Sequence, residues 1–420
     1  MEPIKAALLG AGSRGMYVYA EYAKMNPRML KIAAVAEPDE VKRKQIQEEH
    51  HIPDNLAFLS WKDLFAHLPS CDAVIIATQD QQHAGPLAEA MARNLHILCE
   101  KPIVPTWEEC RAVEGKAAGF NKIFMIAHVL KYTPFFSRIK ELLDAGCIGK
   151  LIGIDLIENV GHIHISHSFV RGNWRNLQES SPMILAKSCH DMDMLYWLAG
   201  APCESLCSYG SLNYFKSENA PPGAPKRCLE GCPAMIECPY HVSKIYLTDN
   251  ISWPTNVITT DLSMEGRIKA LENGPYGRCV FHCDNDVVDH QTVMLRFKNG
   301  ISASFTMSGF TMATHRTITL FGTGGEITGD MEDSRIKVKD FSSRNIDVIE
   351  LAKPLGGHAG GDINFVTDFI RMARDNAGVG RNLIKDSFES HFMSLAAEAS
   401  RIGGSRLINL ENFRRDGRAG

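Results

Sequence analysis

Three glycines close to the N-terminus, Gly10, Gly12 and Gly15, have the spacing of a turn that binds the phosphates of a dinucleotide. They follow a short apolar run at residues 4–9 and precede helix-like sequence at residues 16–23. Gly10 would permit the tight turn, Gly12 would let the backbone approach a pyrophosphate, and Gly15 would let the helix pack closely on the strand. The phosphates would bind the unpaired N–H groups at the helix N-terminus. The spacing and its flanking elements therefore predict a dinucleotide-binding loop.

The choice of dinucleotide depends on the residue that ends the next predicted strand, at residues 31–36. That residue is Glu37, whose carboxylate would accept hydrogen bonds from the ribose hydroxyls and repel a 2′-phosphate. NAD is therefore favoured over NADP. Ser13 and Arg14 complete the cofactor loop, and Arg14 or Arg43 could favour NADP by binding its phosphate.

Strands and helices must alternate to position these residues, and the first third of the chain shows that alternation. Apolar runs at residues 4–9, 31–36, 72–78 and 96–99 are separated by helix-like segments. This order predicts right-handed crossovers and a doubly wound parallel sheet, with ligands at the carboxyl ends of its strands. The residues predicted at those ends, beside a nicotinamide, are Thr78, His83, Glu100, Lys101 and Pro102.

Further motifs are spread along most of the chain. They are Ala77–Thr78 with His83, Glu100–Lys101–Pro102, the stretch from His128 to Pro134, Gly149–Lys150–Leu151, Trp174–Arg175, and Ser188–Cys189–His190–Asp191–Met192–Asp193. With these motifs and the glycine loop, the sequence resembles the family of glucose-fructose oxidoreductase, inositol dehydrogenase and rhizopine-catabolism proteins. Together the motifs are specific for the family but not for a substrate.

The resemblance implies an α/β protein of two domains. Residues 1–130 would form an NAD-binding Rossmann domain with a doubly wound parallel sheet. Residues 131–420 would form an α/β domain for substrate binding and oligomerisation, built on a large, open, mostly antiparallel sheet. A cysteine-rich insertion at about residues 203–283 lies outside the common core of the family. We expect a homodimer or homotetramer, because an apolar sheet face is rarely left in water.

The resemblance also places the lysine of the E-K-P motif, here Lys101, beside the substrate hydroxyl and the nicotinamide. An ammonium group there would stabilise the alkoxide character that develops as a hydride leaves carbon. A buried lysine can also have a lowered pKa and transfer a proton. The alternative is a surface lysine before a turn-forming proline.

One position departs from the family pattern. Dehydrogenases of the family usually carry an aspartate four residues before the histidine that corresponds to His190, and this chain has Ala186 there. His190 stays the best candidate for acid–base catalysis. Lys187, three residues before it, could face the same side of a helix and bind an anionic substituent or replace part of the missing aspartate. Alternatively, His190 packs within the helix and Lys187 is solvated.

The middle of the chain supplies candidates for a polyol pocket, in which a tryptophan face and polar donors would bind a sugar. The candidate substrate-binding residues are His128, His167, Arg171, Asn173, Trp174, Arg175 and Asp191. Trp174 could instead serve ordinary interdomain packing. His162 and His164 would share a face if their segment were extended, and could then line the pocket or hold a metal ion.

Seven cysteines fall in the predicted insertion, several of them close to proline and glycine. Cys228, Cys232, Cys238 and Cys279 could hold a structural zinc ion that pins a long segment with little apolar core. Their spacing is looser than that of paired C-x-x-C motifs, so reduced thiols without a ligand, or a metal cluster or redox role, are the alternatives.

Three functions agree with these residues. The first is an NAD-dependent oxidoreductase that takes a hydride from a secondary hydroxyl of a sugar, polyol or sugar derivative. The second is an NAD-dependent glycosidase that works by transient oxidation, elimination, water addition and re-reduction, with Tyr132, His128 or His167 as a further base. The third is a non-catalytic dinucleotide sensor, against which Lys101 and His190 argue.

Composition limits the classes of molecule that the protein is expected to bind. The 420 residues carry a formal net charge of −4, which makes nucleic acid an unexpected partner. The sequence has no apolar run of the roughly 18–20 residues that a membrane helix needs, and it starts without a signal-peptide pattern. We therefore expect a cytoplasmic protein whose partner is a small carbohydrate.

Overall fold

The structure is a computed structural model that describes residues 2–353, 357–375 and 384–417. Its first domain contains a six-stranded parallel sheet of order β3-β2-β1-β4-β5-β6. The strands are β1 (Ile4–Leu9), β2 (Leu30–Ala36), β3 (Ala57–Phe58), β4 (Ala73–Ile76), β5 (His96–Cys99) and β6 (Phe124–Ile126). The central strands are buried on both faces, as their nearly continuous apolar sequence requires.

Helices connect these strands and cover the sheet. After β1, a π-helical stretch, Gly15–Ala20, continues into a short α-helix. The α-helices up to the second domain are α1 (Glu21–Met25), α2 (Glu40–Glu49), α3 (Trp61–Ala66), α4 (Ala84–Ala92), α5 (Trp107–Ala117) and α6 (Pro134–Asp144). This is the doubly wound arrangement that the alternating sequence predicts, and it places the carboxyl ends of β1, β4 and β5 at one edge.

The second domain is built on a nine-stranded sheet of order β14-β13-β12-β11-β7-β10-β9-β8-β15, antiparallel except for the β7–β10 pair. Its strands are β7 (Leu151–Asn159), β8 (Cys203–Ser211), β9 (His290–Phe297), β10 (Ser302–Ser308), β11 (His315–Gly322), β12 (Gly325–Asp330), β13 (Arg335–Asp340), β14 (Ile346–Glu350) and β15 (Ile408–Asn409). The predicted α/β fold with a large, mostly antiparallel second sheet is confirmed.

The described helices of the second half fall into three groups by position along the chain. They are α7 (His162–His164), α8 (Met183–Ala186) and α9 (Cys189–Ala199) before β8; α10 (Val242–Ile245), α11 (Thr255–Ile258) and α12 (Met264–Asn273) in the insertion; and α13 (Gly361–Asp375), α14 (Ile384–Ile402) and α15 (Leu410–Asp416) after β14. Helices α9 and α14 pack on each other and on the sheet.

The structure differs from the sequence prediction at two places, one in the start of the insertion and one in the secondary structure of a segment. The insertion begins after Ser211, because residues 203–211 form strand β8, which pairs with β9 along most of its length. The segment with His162 and His164 is helical, and α7 runs directly into a π-helical stretch, Ile165–Arg171. The two histidines therefore do not alternate along a strand, and the basis for a metal site there is lost.

Helix α13 returns the chain to the first domain. Phe365, Val366, Phe369 and Ile370 on this helix are buried in one apolar cluster with residues of β1 and β2. The first domain is thus completed by a segment more than 200 residues beyond its last strand. No helix among the described residues is long and apolar enough to cross a membrane.

Candidate active site

The loop after β1 has the shape that a pyrophosphate requires. Gly10 has φ +89°, and a Cβ on it would overlap the carbonyl oxygen of Ala77. A Cβ on Gly15 would overlap the carbonyl oxygen of Gly10, so the loop closes tightly at both ends. Around Gly12, in contrast, no atom of the described residues outside its own stretch of backbone lies within 4 Å of the Cβ position. This open space, beside the exposed Ser13 at the start of a helical segment, fits a bound phosphate.

Glu37 is held at the end of β2 by backbone amides. Its Oε2 accepts a hydrogen bond from the N–H of Ala11 at 2.6 Å, and its Oε1 accepts one from the N–H of Asp39 at 2.9 Å. The carboxylate is buried against the cofactor loop, where the ribose of a dinucleotide would lie. The Arg43 guanidinium donates to the backbone carbonyl of Glu37 at 2.6 Å.

Arg14 faces away from the phosphate space and joins the cofactor loop to two other parts of the chain. Its Nε donates to Glu100 at 2.6 Å, and its two terminal nitrogens donate to the Asp362 carboxylate, both at 2.9 Å. Tyr19 donates to the same oxygen of Glu100 at 2.6 Å. The guanidinium is therefore saturated by carboxylates, which does not support the predicted binding of a cofactor phosphate by Arg14.

The carboxyl ends of β4 and β5 meet around a buried imidazole. His83 contacts the carbonyl oxygen of Pro102 through Nδ1 at 2.8 Å and that of Thr78 through Nε2 at 3.2 Å. It is fully buried, so it links the two loops rather than meeting a ligand directly. The hydroxyl oxygen of Thr78 is buried and has no hydrogen-bond partner in the described part of the chain.

Lys101 reaches from the end of β5 into the second domain. Its Nζ donates to the backbone carbonyl of Ala186 at 2.6 Å and lies 5.6 Å from the ring centroid of Trp174. The backbone of Ala186 thus supplies the acceptor that its side chain lacks. Trp174 is fixed in turn by its indole N–H, which donates to Asp80 at 3.3 Å. The ammonium, the indole face and the first domain meet at one place.

His190, at the start of α9, lies within electrostatic reach of that ammonium. Burial, the Lys101 cation and the neighbouring His358 and His128 rings hold the pKa of His190 well below its usual range. The imidazole is consequently neutral at neutral pH and able to accept a proton. Its Nδ1 is buried without a hydrogen-bond partner among the residues that the structure describes.

Lys187 belongs to a buried network of four charged side chains. Its Nζ lies 3.2 Å from Glu158, which also pairs with Arg316, and Arg316 donates to Asp191 through Nε at 2.7 Å. Burial lowers the pKa of Lys187 and raises that of Asp191 to about 6. Lys101 adds to the lowering for Lys187, so this network lies within electrostatic reach of the candidate catalytic lysine.

Both domains of the chain match family models. Residues 4–128 match the NAD-binding Rossmann fold of the Gfo/Idh/MocA oxidoreductases, and residues 140–384 match the C-terminal α/β domain of the same proteins. The chain belongs to this family. It is accordingly an oxidoreductase with an NAD-binding Rossmann domain.

Individual family members resemble the chain at modest identity. The oxidoreductase YteT of Bacillus subtilis is 27% identical over 394 residues, which are 88% of this chain and 89% of YteT. The NAD(+)-dependent scyllo-inositol 2-dehydrogenase of the same organism is 25% identical over 220 residues, 50% of this chain and 58% of that enzyme. A levoglucosan dehydrogenase solved with NADH and levoglucosan superposes with a TM-score of 0.71 at 17% identity, covering 97% of this chain and 100% of that one. At that identity, the superposition shows the fold.

Sequence reasoning missed Glu158 and Arg316, which form a buried network of ion pairs with Lys187 and Asp191. They come from β7 and β11, neighbouring strands in which Arg316 pairs directly with Glu158. No local pattern connects two residues so far apart in sequence. A weak signal was available in Glu158 itself, because a carboxylate at a buried position of an alternating strand requires a cationic partner.

Several predicted site residues lie elsewhere. The hydroxyl of Tyr132 donates to Asp368 at 2.9 Å and its ring packs on α13, which does not support a catalytic role. Arg171 is fully buried and donates to the carbonyl oxygens of Arg278 and Tyr240, so it ties the π-helical stretch to the insertion instead of lining a pocket.

Four more predicted substrate-binding residues contact groups other than Lys101 or face solvent. Arg175 pairs with Glu179 and Asp284 near the surface, and Asn173 is exposed. The Nδ1 of His167 contacts the hydroxyl of Tyr246 in the insertion at 2.9 Å. His128 is buried under His190, where it contributes to a cluster with Asp193 and Lys131.

The cysteine segment forms a small core of its own. Cys228 is buried with Val242, Ile245 and Tyr246, and the four cysteines predicted to bind zinc line one narrow cavity: Cys228, Cys232, Cys238 and Cys279. Within residues 2–353, 357–375 and 384–417, however, no group of three or more His, Cys, Asp or Glu side chains is placed to hold a metal ion. The predicted structural zinc is therefore not supported, and all four cysteines are free thiols.

Proposed function

We propose that this oxidoreductase is an NAD-dependent dehydrogenase that oxidises a secondary hydroxyl of a sugar, polyol or sugar derivative. The observation that carries the proposal is the meeting of Lys101, neutral His190 and the Trp174 indole at the strand ends of the first domain. An indole binds the C–H face of a sugar, and the two nitrogen groups can hold its hydroxyl. The inositol and levoglucosan dehydrogenases among the similar proteins support this substrate class.

The reaction breaks one C–H and one O–H bond of the substrate. Bound NAD⁺ would supply the acceptor for the hydride, becoming NADH as the carbinol carbon is oxidised to a ketone. The Lys101 ammonium would stabilise the negative charge that develops on the substrate oxygen. The hydroxyl proton would pass to the neutral imidazole of His190 and from there to solvent.

The role of Lys187 follows from its network. Because Glu158 already neutralises it, Lys187 is better placed to donate a hydrogen bond to a neutral hydroxyl than to bind an anion. We assign it to orientation of the substrate, with Asp191 and Arg316 holding Glu158 and Lys187 in place.

The redox-assisted glycosidase is the weaker candidate. It needs an additional base to remove an acidic C–H proton, and Tyr132, proposed for that step, is engaged by Asp368. The dehydrogenases among the similar proteins also do not favour it.

The test is a coupled measurement of NADH absorbance and sugar products with purified protein, NAD⁺ and a panel of free sugars, polyols and aryl glycosides. We expect NADH to accumulate steadily with at least one free sugar or polyol. Release of an aglycone that requires NAD⁺ but leaves no net NADH would replace the dehydrogenase by the glycosidase. NADH binding without turnover on any member of the panel would contradict both.

Cofactor preference gives a second prediction. We expect Glu37→Arg to shift the ratio of the Kd values for NADH and NADPH toward NADPH by about tenfold or more, because it removes the charge that repels a 2′-phosphate. Fluorescence titration measures both constants, with Glu40→Arg on the exposed start of α2 as the matched control. Unchanged relative affinities would disprove the assignment of Glu37 to the ribose.

We further propose that the open face of the nine-stranded sheet pairs with a second copy of the chain. Exposed apolar side chains share this face on neighbouring strands: Ile152, Ile157, Tyr209, Met294 and Phe321. A patch of this kind favours a homodimer, or a homotetramer built from two such pairs.

A further inference from the structure

The insertion contributes an unusual aromatic side chain to the neighbourhood of the candidate site. Trp253, just before α11, is 43% exposed. Its backbone is held by Asn250, whose side-chain amide donates to the Trp253 carbonyl at 3.2 Å. An indole held at a fixed position with an uncovered face can pack against the C–H face of a sugar.

Two histidines from the α7 segment support this indole. The ring centroid of His164 lies 5.0 Å from that of Trp253, and that of His167 lies 5.5 Å from it, at interplanar angles of 72° and 74°. His167 is fixed in turn by stacking on Tyr276 at 4.6 Å. The position of Trp253 is thus set from both the insertion and the core of the second domain.

His164 connects Trp253 to the site at Lys101. Burial, the Lys187 and Lys101 cations and the neighbouring His167 and His358 rings hold the pKa of His164 well below its usual range. The ring is therefore neutral at neutral pH. Neither of its nitrogens has a hydrogen-bond partner in the described ranges, and neither is sealed from solvent. A donor and an acceptor are consequently open to a ligand.

Trp253 is linked to the indole beside Lys101 through a row of packed rings. Three successive ring contacts separate it from the indole beside Lys101: Trp174 to Phe169 at 6.0 Å, Phe169 to His164 at 6.0 Å, and His164 to Trp253 at 5.0 Å. A pyranose whose hydroxyl meets Lys101 would leave His164 and Trp253 for a second group of the same substrate.

We propose that His164 and Trp253 form a distal subsite for a second, uncharged sugar or ring-sized aglycone, so that the substrate is a two-ring glycoside. The inference rests on the proposed dehydrogenase function and adds to it the size of the substrate. An indole face and a neutral imidazole suit the C–H and O–H groups of a sugar ring. An anionic second group is disfavoured, because Lys187, whose charge acts on His164, is already paired with Glu158.

The test compares matched one-ring and two-ring sugars with the intact protein and saturating NAD⁺. D-glucose is paired with cellobiose and maltose, D-galactose with lactose, and D-mannose with mannobiose. We expect kcat/KM for at least one two-ring sugar to exceed that of its monosaccharide by about tenfold or more, mainly through a lower KM.

Variants at Trp253 test whether the preference for two-ring sugars arises from the subsite. Trp253→Ala should lower the two-ring to one-ring ratio of kcat/KM by about tenfold, whereas Trp253→Phe should retain most of the ratio. Phe341→Ala, which removes an exposed aromatic in the turn after β13, is the control and should leave the ratio unchanged. Equal losses on both sugar sizes in Trp253→Ala, or a ratio near one in the unmodified protein, would overturn the proposal.

A binding measurement separates this proposal from the proposed function. With NADH bound, the preferred disaccharide should quench tryptophan fluorescence, and its Kd should rise about tenfold in Trp253→Ala. If disaccharides bind through Trp253 but no sugar is oxidised, the dehydrogenase assignment fails and the subsite stands. If monosaccharides are oxidised and no disaccharide binds more tightly, the subsite fails and the dehydrogenase stands.

Discussion

Lys101→Met is expected to lower kcat on any accepted sugar by about 10³-fold or more while NADH still binds. The methionine keeps the alkyl stem that packs beside Trp174 but removes the ammonium that donates to Ala186. Loss of one group that stabilises an oxyanion costs about 10²–10³-fold, and loss of proton transfer adds to it. Steady-state rates and NADH fluorescence titrations measure the two properties separately.

A matched control for this variant is available on the same domain. Lys62 on α3 is exposed, so Lys62→Met changes the same charge away from the strand ends. It should leave kcat and the Kd for NADH within about twofold of the unmodified protein, as expected for a surface substitution. A Lys101→Met protein with kcat within tenfold of the unmodified protein would remove Lys101 from the mechanism.

The first domain could be predicted because its signals are local. Continuous apolar strands, the glycines of the cofactor loop and an acidic residue at the end of β2 are each visible within about ten residues. The parallel topology follows from their order. Lys101 was also within reach, since its place at the end of a predicted strand already puts it at the ligand-binding edge.

Residues whose partners are distant in sequence could not be assigned in this way. Arg14 sits in the cofactor loop and carries the charge that a phosphate needs. Its carboxylate partner, Asp362, lies 348 positions further along the chain, on a helix that returns to the first domain. Nothing local distinguishes an arginine that binds phosphate from one that joins distant segments of the chain.

Residues that are neighbours in sequence were also predicted to share one substrate pocket, although the fold separates them. Arg171 ends the π-helical stretch, and Gly172 then turns the chain at a point where a Cβ would contact the His167 carbonyl oxygen at 2.7 Å. Trp174 consequently reaches Lys101, while Arg171 is buried against the insertion. The cysteines show the same limit, because their clustering in sequence does not bring them into a metal-binding arrangement in the described residues.

His190→Asn is expected to lower kcat by about 10²-fold or more, because asparagine can hydrogen-bond the substrate hydroxyl but cannot take its proton. The pH dependence gives a sharper test. Burial and the Lys101 cation lower the pKa of His190, so its imidazole stays neutral, and able to accept a proton, to well below pH 6.5. In the unmodified protein, kcat/KM should therefore hold its plateau below pH 6.5 and fall only on further acidification.

The acid limb of the pH profile of kcat/KM shows whether His190 is the group that accepts the proton. If His190 accepts the proton, His190→Asn should retain a residual rate whose acid limb is lost or displaced, since the titrating group is gone. His358 provides the complementary change: its ring lies 5.8 Å from that of His190 and helps to lower the pKa of that imidazole. His358→Asn should move the limb to higher pH, because a group that lowers the pKa of His190 is removed. A profile identical in all three proteins would show that another group accepts the proton, and His164 would then be the residue to replace next.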